Sequence, residues 1–160
     1  MNRHIAVVGA SEATEPQVAI AADLGRLIGS RGYVLVTGGL GGVMAAASRG
    51  AKEAGGISVG LLPSSDRSTG NEHLSAAIPT GLGELRNGLV VRSADGIIAI
   101  GGSWGTLSEI ALAVRTDVPI VRIGGWALTD EQGTSIDLPS ADSAEDAVRQ
   151  LEAMIERRAH

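Results

Sequence analysis

With 160 residues, the chain is long enough for one domain with a real core and too short for two comfortable ones, so residues 1–160 are read as a single domain. A formal net charge of −5, with acidic residues spread along the chain, argues against a broad basic surface and against a nucleic acid polymer as partner. The absence of cysteine removes disulfides, zinc–thiolate centres and a thiol nucleophile, and no apolar run approaches the ~18 residues a membrane span needs.

The N-terminal residues enter a short apolar run, Ile5 to Val8, without the longer apolar core of a signal peptide, and a cytoplasmic location with no membrane partner is expected. That run reads as a strand ending in Gly9-Ala10-Ser11. From Pro16 to Ser30 the apolar residues Val18, Ile20, Ala21, Leu24, Leu27 and Ile28 recur at helical spacing, with Pro16 in the first turn and Gly32 as stop signal. Val34 to Val36 is a short buried strand, Gly38 to Gly42 a glycine loop, and Val43 to Ala54 a helix of small residues stopped by Gly55-Gly56.

A third strand, Ile57 to Leu62, runs into Pro63, and the polar residues 64–73 form a surface loop able to serve as a lid. A short strand is expected around Ala76 to Ile78, a helix over Leu82 to Ser93, and a fully apolar strand over Gly96 to Ile100. The next helix starts near Gly105-Thr106 and runs to about Thr116, followed by a strand over Val118 to Ile123. Residues 124–140 are irregular, and a last helix starts with Asp142 or Ser143 as N-cap.

Strands alternate with helices across connections too long for hairpins. This predicts an α/β fold, its mainly parallel sheet covered by helices on both faces. The residue types agree: the 44% hydrophobic share rests on Ala, Val, Ile and Leu, with Tyr33, Trp104 and Trp126 as the three aromatics.

In such a sheet, ligands collect at the carboxyl ends of the strands, beside helix N-termini that offer free N–H donors. Three strand ends are suited to this: Gly9 to Ser11, Thr37 to Gly42, and Gly101 to Thr106. The candidate phosphate or ligand contacts are Gly9, Ser11, Gly38, Gly39, Gly41, Gly42, Gly102, Ser103, Trp104, Gly105 and Thr106. The loops match neither G-x-G-x-x-G nor G-x-x-x-x-G-K-[ST], which disfavours ordinary dinucleotide and Walker-type sites.

Thr106-Leu107-Ser108-Glu109 has the pattern of a capping box, and on that reading losing Glu109 costs about 1 kcal/mol. Its alternative role is general base or stabiliser of positive charge on a sugar. Arg92 suits a helix C-terminus, whereas Arg86, in a first turn, opposes the helix dipole unless an anion is present. Trp104 can stack on a ring or pack on a neighbouring loop. His4, His73 and His160 lie apart without metal-ligand spacing, and no metal is expected.

In order along the chain, Thr37-Gly38-Gly39, Gly42-Val43-Met44, Gly50-Ala51, Gly60-Leu61-Leu62-Pro63, Arg86-Asn87 and Gly102 to Glu109 resemble the LONELY GUY (LOG) family, formerly described as possible lysine decarboxylases. The resemblance implies a Rossmann-like three-layer sandwich that binds a nucleotide, and a phosphoribohydrolase that frees a base from a nucleoside 5′-monophosphate. It implies Arg86 and Glu109 as catalytic pair, phosphate held by Gly102, Gly105 and Thr106 with Gly38, Gly39 and Gly42, and assembly as a homodimer or homotetramer. A pyridoxal phosphate decarboxylase is rejected, because it needs a Schiff-base lysine and Lys52, in a small-residue helix, is the only lysine.

Gly101 stands for the signature proline, Ser103 for its second glycine, and Asn87 for a lysine after the arginine. These departures look like a short bacterial branch that also resembles molybdenum cofactor carrier proteins. On that reading no cofactor is required for chemistry and molybdenum cofactor is a bound ligand; on either, the partner is a nucleotide-like small molecule.

Overall fold

A computed structural model describes residues 1–159. Strands β1 (His4–Gly9), β2 (Val34–Thr37), β3 (Ile57–Leu62), β4 (Ala76–Pro79), β5 (Gly96–Ile100) and β6 (Ile120–Ile123) form a sheet in the order β4-β3-β2-β1-β5-β6. Every pairing is parallel, with Ile5 opposite both Leu35 and Gly96, and Ile97 opposite Ile120. Helices α1 (Glu15–Ser30), α2 (Val43–Glu53), α3 (Arg86–Arg92), α4 (Trp104–Arg115) and α5 (Ala144–Arg158) cover it.

Alternation along each strand divides the core in two. Ile5 and Val7 of β1 and Leu35 of β2 pack with Leu24 and Ile28 of α1, Val43 and Ala47 of α2 and Leu151 of α5. Ala6, Val8 and Val36 face the other way, onto Val90 and Val91 of α3 and Ile110 and Ala113 of α4. The result is the three-layer α/β sandwich that the alternating pattern predicts. Because β1 lies between β2 and β5, the direction of strand progression reverses between β1 and β5. A crevice opens there at the carboxyl ends of the strands.

Small residues bring α1 and α2 together backbone to backbone. A Cβ on Gly25 would lie 2.0 Å from the Ala47 carbonyl oxygen, and one on Gly50 would lie 2.0 Å from that of Ala22. On the other face the expected helix over 82–93 is interrupted. Gly81 and Gly83 have φ of +66° and +57°, which an α-helix cannot continue through, so a 3-10 turn over Gly83–Leu85 precedes α3. The last strand is shorter than expected because the Val118 N–H turns back to the Ala113 carbonyl at the end of α4.

Residues 64–73 contain a 3-10 turn, Arg67–Thr69, capped by Asp66. Asn71 fastens this segment to the glycine loop: its backbone N–H donates to the Gly39 carbonyl at 2.9 Å and its Nδ2 to that of Leu40 at 3.0 Å. Ser143 is the N-cap of α5. Among the described residues, no helix is long and apolar enough to cross a membrane.

Candidate functional site

Helix α4 starts earlier than its sequence suggests, and this changes the role of Glu109. Its N-cap is Ser103, whose Oγ accepts from the Thr106 N–H at 3.1 Å and lies 2.8 Å from Thr106 Oγ1. The capping box expected at Thr106–Glu109 is therefore not formed: the cap lies one turn upstream, Thr106 occupies the place assigned to the acid, and Glu109 falls in the second turn. Ser103→Ala is expected to lower unfolding free energy by about 1 kcal/mol in urea denaturation, the usual scale of a lost N-cap. Glu109→Ala removes no cap.

Glu109 instead faces a cleft of about 420 Å³ at the crevice beside β1. Gly9, Ser11, Gly38, Arg86, Ser103, Gly105, Thr106 and Glu109 line it, with Val8, Leu40, Met44 and Pro63 as apolar wall and Gly83, Glu84 and Asn87 along one side. Its size falls within the range of small-molecule sites. The remaining candidates are not among the lining residues: Gly39 is buried and Gly42 half-buried, whereas Gly41, Gly102 and Trp104 are exposed.

The glycines after β2 close the start of α2. Gly42, at φ +57°, caps α2; a Cβ there would lie 2.2 Å from the Ala10 carbonyl oxygen. That same carbonyl accepts from the Val43 N–H, Met44 N–H goes to Gly41, and Gly39 N–H goes to Thr37 Oγ1. The N-terminus of α2 is thus closed by the β1 loop. The first-turn N–H groups of α4, at Gly105, open on the cleft instead.

Arg86 is 8% exposed, and its guanidinium fills the space a Cβ on Gly38 would need, 2.6 Å from Nη2. Nη2 donates to the Gly38 carbonyl at 3.4 Å and Nη1 to Asn87 Oδ1. Among the described residues, Arg86 Nε has no acceptor. Asn87 in turn donates through Nδ2 to Ser108 Oγ at 2.9 Å, and Ser108 Oγ donates to the Gly105 carbonyl at 2.8 Å. This chain ties the guanidinium to the first turn of α4. Asn87 is a site residue absent from the sequence candidates; its signal is its place beside Arg86, at a departure from the LOG-like motif. Asn87→Leu is expected to weaken binding of an anionic ligand about tenfold in calorimetry, the worth of one charge-assisted hydrogen bond, with little change in melting temperature.

Burial dominates both ionisable groups. It pushes the Arg86 guanidinium below the ordinary arginine value, against the opposing pull of Glu109, and the group stays cationic. Glu109, 6% exposed, is raised by burial to about 7, Arg86 holding it down in part. Such a carboxyl can either give or take a proton near neutrality. Among the described residues, no group of three His, Cys, Asp or Glu is placed to hold a metal ion, and His160 lies outside the described residues. Lys52 is exposed in the last turn of α2.

The model of the SLOG cluster4 family matches residues 2–154. The chain belongs to the SLOG cluster4 family. The match supports the LOG-like resemblance carried by Thr37-Gly38-Gly39 and Gly102 to Glu109. An uncharacterized protein of Archaeoglobus fulgidus is 44% identical to this SLOG cluster4 chain over 111 residues, 69% of this chain and 73% of that one. Among solved structures, the molybdenum cofactor binding protein of Rippkaea orientalis is 34% identical, with a TM-score of 0.87 over 97% of this chain and 98% of that one. The molybdenum cofactor carrier protein of Chlamydomonas reinhardtii is 31% identical, with a TM-score of 0.84 over 97% and 99%. Resemblance to molybdenum cofactor carriers thus extends over nearly the whole fold.

Proposed function

We propose that this SLOG cluster4 protein binds a phosphate-bearing pterin of the molybdenum cofactor class and holds it without turnover. The observation that carries this reading is the buried Arg86 guanidinium on the cleft wall, with Nε lacking an acceptor among the described residues. Among the described residues, only the Gly38 carbonyl and Asn87 Oδ1 accept from the five N–H donors of this guanidinium, and a phosphate oxygen in the cleft is the acceptor best matched to the cation that lines it. The cleft fits such a ligand: one cation, the first turn of α4 for the phosphate, and an apolar wall of Val8, Leu40, Met44 and Pro63 for a flat ring. Support for a pterin rather than another ring comes from the two molybdenum cofactor proteins that share the fold over nearly its full length.

In this mechanism Arg86 and the Gly105 turn hold the phosphate, Asn87 keeps the guanidinium oriented, and Glu109 offers an acceptor to ring N–H groups when ionised. Arg86, Asn87 and the Gly105 turn would hold the cofactor, which would supply its own metal chemistry to an enzyme that received it. The protein purified from a host that makes the cofactor is expected to carry a pterin, detected by mass spectrometry after heat release, and Arg86→Met is expected to carry none. A wild-type preparation with no pterin overturns the reading.

A second reading is favoured by Glu109, which has no capping role and sits near neutrality beside Arg86. In it the pair cleaves the N-glycosidic bond of a nucleoside 5′-monophosphate, with Glu109 assisting water as positive charge develops on the ribose. Free base and ribose 5-phosphate, followed by chromatography, then appear with wild type and vanish with Glu109→Gln. On either reading we expect a cytoplasmic homodimer or homotetramer, consistent with the exposed Leu82, Leu85 and Leu89 around α3.

A further inference from the structure

Two of the three aromatic side chains stand together beside the cleft. Trp104 and Trp126 have ring centroids 4.9 Å apart with planes inclined at 46°. Trp104, the first residue of α4, lies between Ser103 and Gly105, both of which line the cleft, yet it is 77% exposed. A side chain that large and apolar contributes little to the core from there.

Its support is built with care. Trp126 Nε1 donates to the Ser103 carbonyl at 3.2 Å, and the Arg122 guanidinium donates to the Trp126 carbonyl. Gly125, at φ +89°, brings the segment after β6 against the loop after β5 so closely that a Cβ would lie 2.1 Å from the Gly101 oxygen. A Cβ on Gly102 would touch Trp126 Nε1 at 3.4 Å. Trp126 is therefore a fixed backing for Trp104, which leaves most of its surface free.

The pair also stands across the crevice from Arg86. Gly38 and Arg86 lie over the β1–β3 strand ends, whereas Trp104 and Trp126 follow β5 and β6. In open α/β sheets, ligands with two ring systems joined through phosphates cross such a reversal of strand order. We propose that Trp104 and Trp126 form a second, aromatic subsite that takes the far ring of a dinucleotide-like ligand, whose bridging phosphates lie at the first turn of α4. This rests on the reading of the cleft as a site for a phosphate-bearing ring compound.

The test compares GMP with diguanosine pyrophosphate, since guanine shares the aminopyrimidinone ring of a pterin. Calorimetry gives the affinities. Both tryptophans belong to the pair, so quenching of tryptophan fluorescence, excited where Tyr33 does not absorb, reports on these two rings. Wild type is expected to bind the dinucleotide about tenfold more tightly than GMP, the scale of one base stacked on an aromatic ring, with the greater quenching. Trp104→Ala is expected to remove that advantage while GMP affinity and melting temperature hold, and Trp126→Leu to reduce it. Equal affinity of wild type for both ligands, or an advantage that survives Trp104→Ala, overturns the second subsite; GMP binding that depends on Arg86 still leaves the cleft reading standing. If neither ligand binds wild type, the cleft reading fails and takes the proposal with it.

Discussion

Arg86→Met is expected to cut affinity for a phosphate-bearing ligand by about 10- to 100-fold, because charge-assisted hydrogen bonds to a buried guanidinium are worth roughly 1.5–3 kcal/mol. Methionine fills most of the vacated volume, so the change tests charge rather than packing. Stability should move the other way below neutrality. A desolvated cation with an unpartnered Nε disappears while Glu109 is still protonated, and removing such a group in favour of an apolar one is neutral or stabilising. Above neutrality the gain is lost, since an ionised Glu109 no longer has a cation near it. Arg86→Lys restores the charge but not the planar fork, and recovers only part of the affinity. Calorimetric titration and thermal unfolding at pH 6 and pH 8 read both effects; undiminished affinity in Arg86→Met removes Arg86 from the site.

Glu109→Gln is expected to abolish a pH dependence of stability that wild type shows between about pH 4.5 and 7. The unfolded carboxyl titrates near 4.5 and the folded one near 7. Between these values the folded protein holds a proton that the unfolded chain has released. Stability therefore falls as pH rises through this window, and the loss is complete above the folded value. The difference amounts to about 3 kcal/mol at the usual 1.36 kcal/mol per unit. Urea denaturation at pH 8 should show Glu109→Gln more stable than wild type, the two converging toward pH 4.5. A wild-type curve that is flat, or that rises with pH over this range, would falsify the buried-acid account. A bound phosphate raises the carboxyl further, so ligand affinity is expected to weaken above pH 7 in wild type and less so in the glutamine variant.

Most of the layer structure was legible because strand and helix segments differ in period and are separated by glycine. Ile57–Leu62 and Gly96–Ile100 were bounded to the residue. What failed was local. The α4 cap falls three residues before the one expected, because Ser103 and Thr106 are both residue types that cap, and the Ser103 side chain is the one that takes the Thr106 N–H. The break before Arg86 depends on positive φ at Gly81 and Gly83, which sequence permits but does not require. Within the site, Arg86 stood out because a cation in a first turn conflicts with the helix dipole. Asn87, Ser108 and Trp126 did not, since their roles come from contacts across 21 to 23 residues of chain. In the Gly38–Gly42 loop, which reads as a second phosphate cradle, the Gly39 N–H is engaged by Thr37 Oγ1, and beyond the loop the Val43 and Met44 N–H groups of α2 are engaged within the protein.

The glycine seam between α1 and α2 has a mechanical consequence. With Gly25 against Ala47 and Gly50 against Ala22, the two helices have no slack, and Ala10, Gly42 and Val43 are clamped along with them. One jaw of the cleft is rigid. The opposing jaw is the short α3, hung from Gly81 and Gly83 and without a side-chain cap. That jaw is seated too, by Val90 and Val91 in the core and by the Asn87–Ser108 hydrogen bond to α4, so the geometry that meets a cargo at Arg86 is set before the cargo arrives.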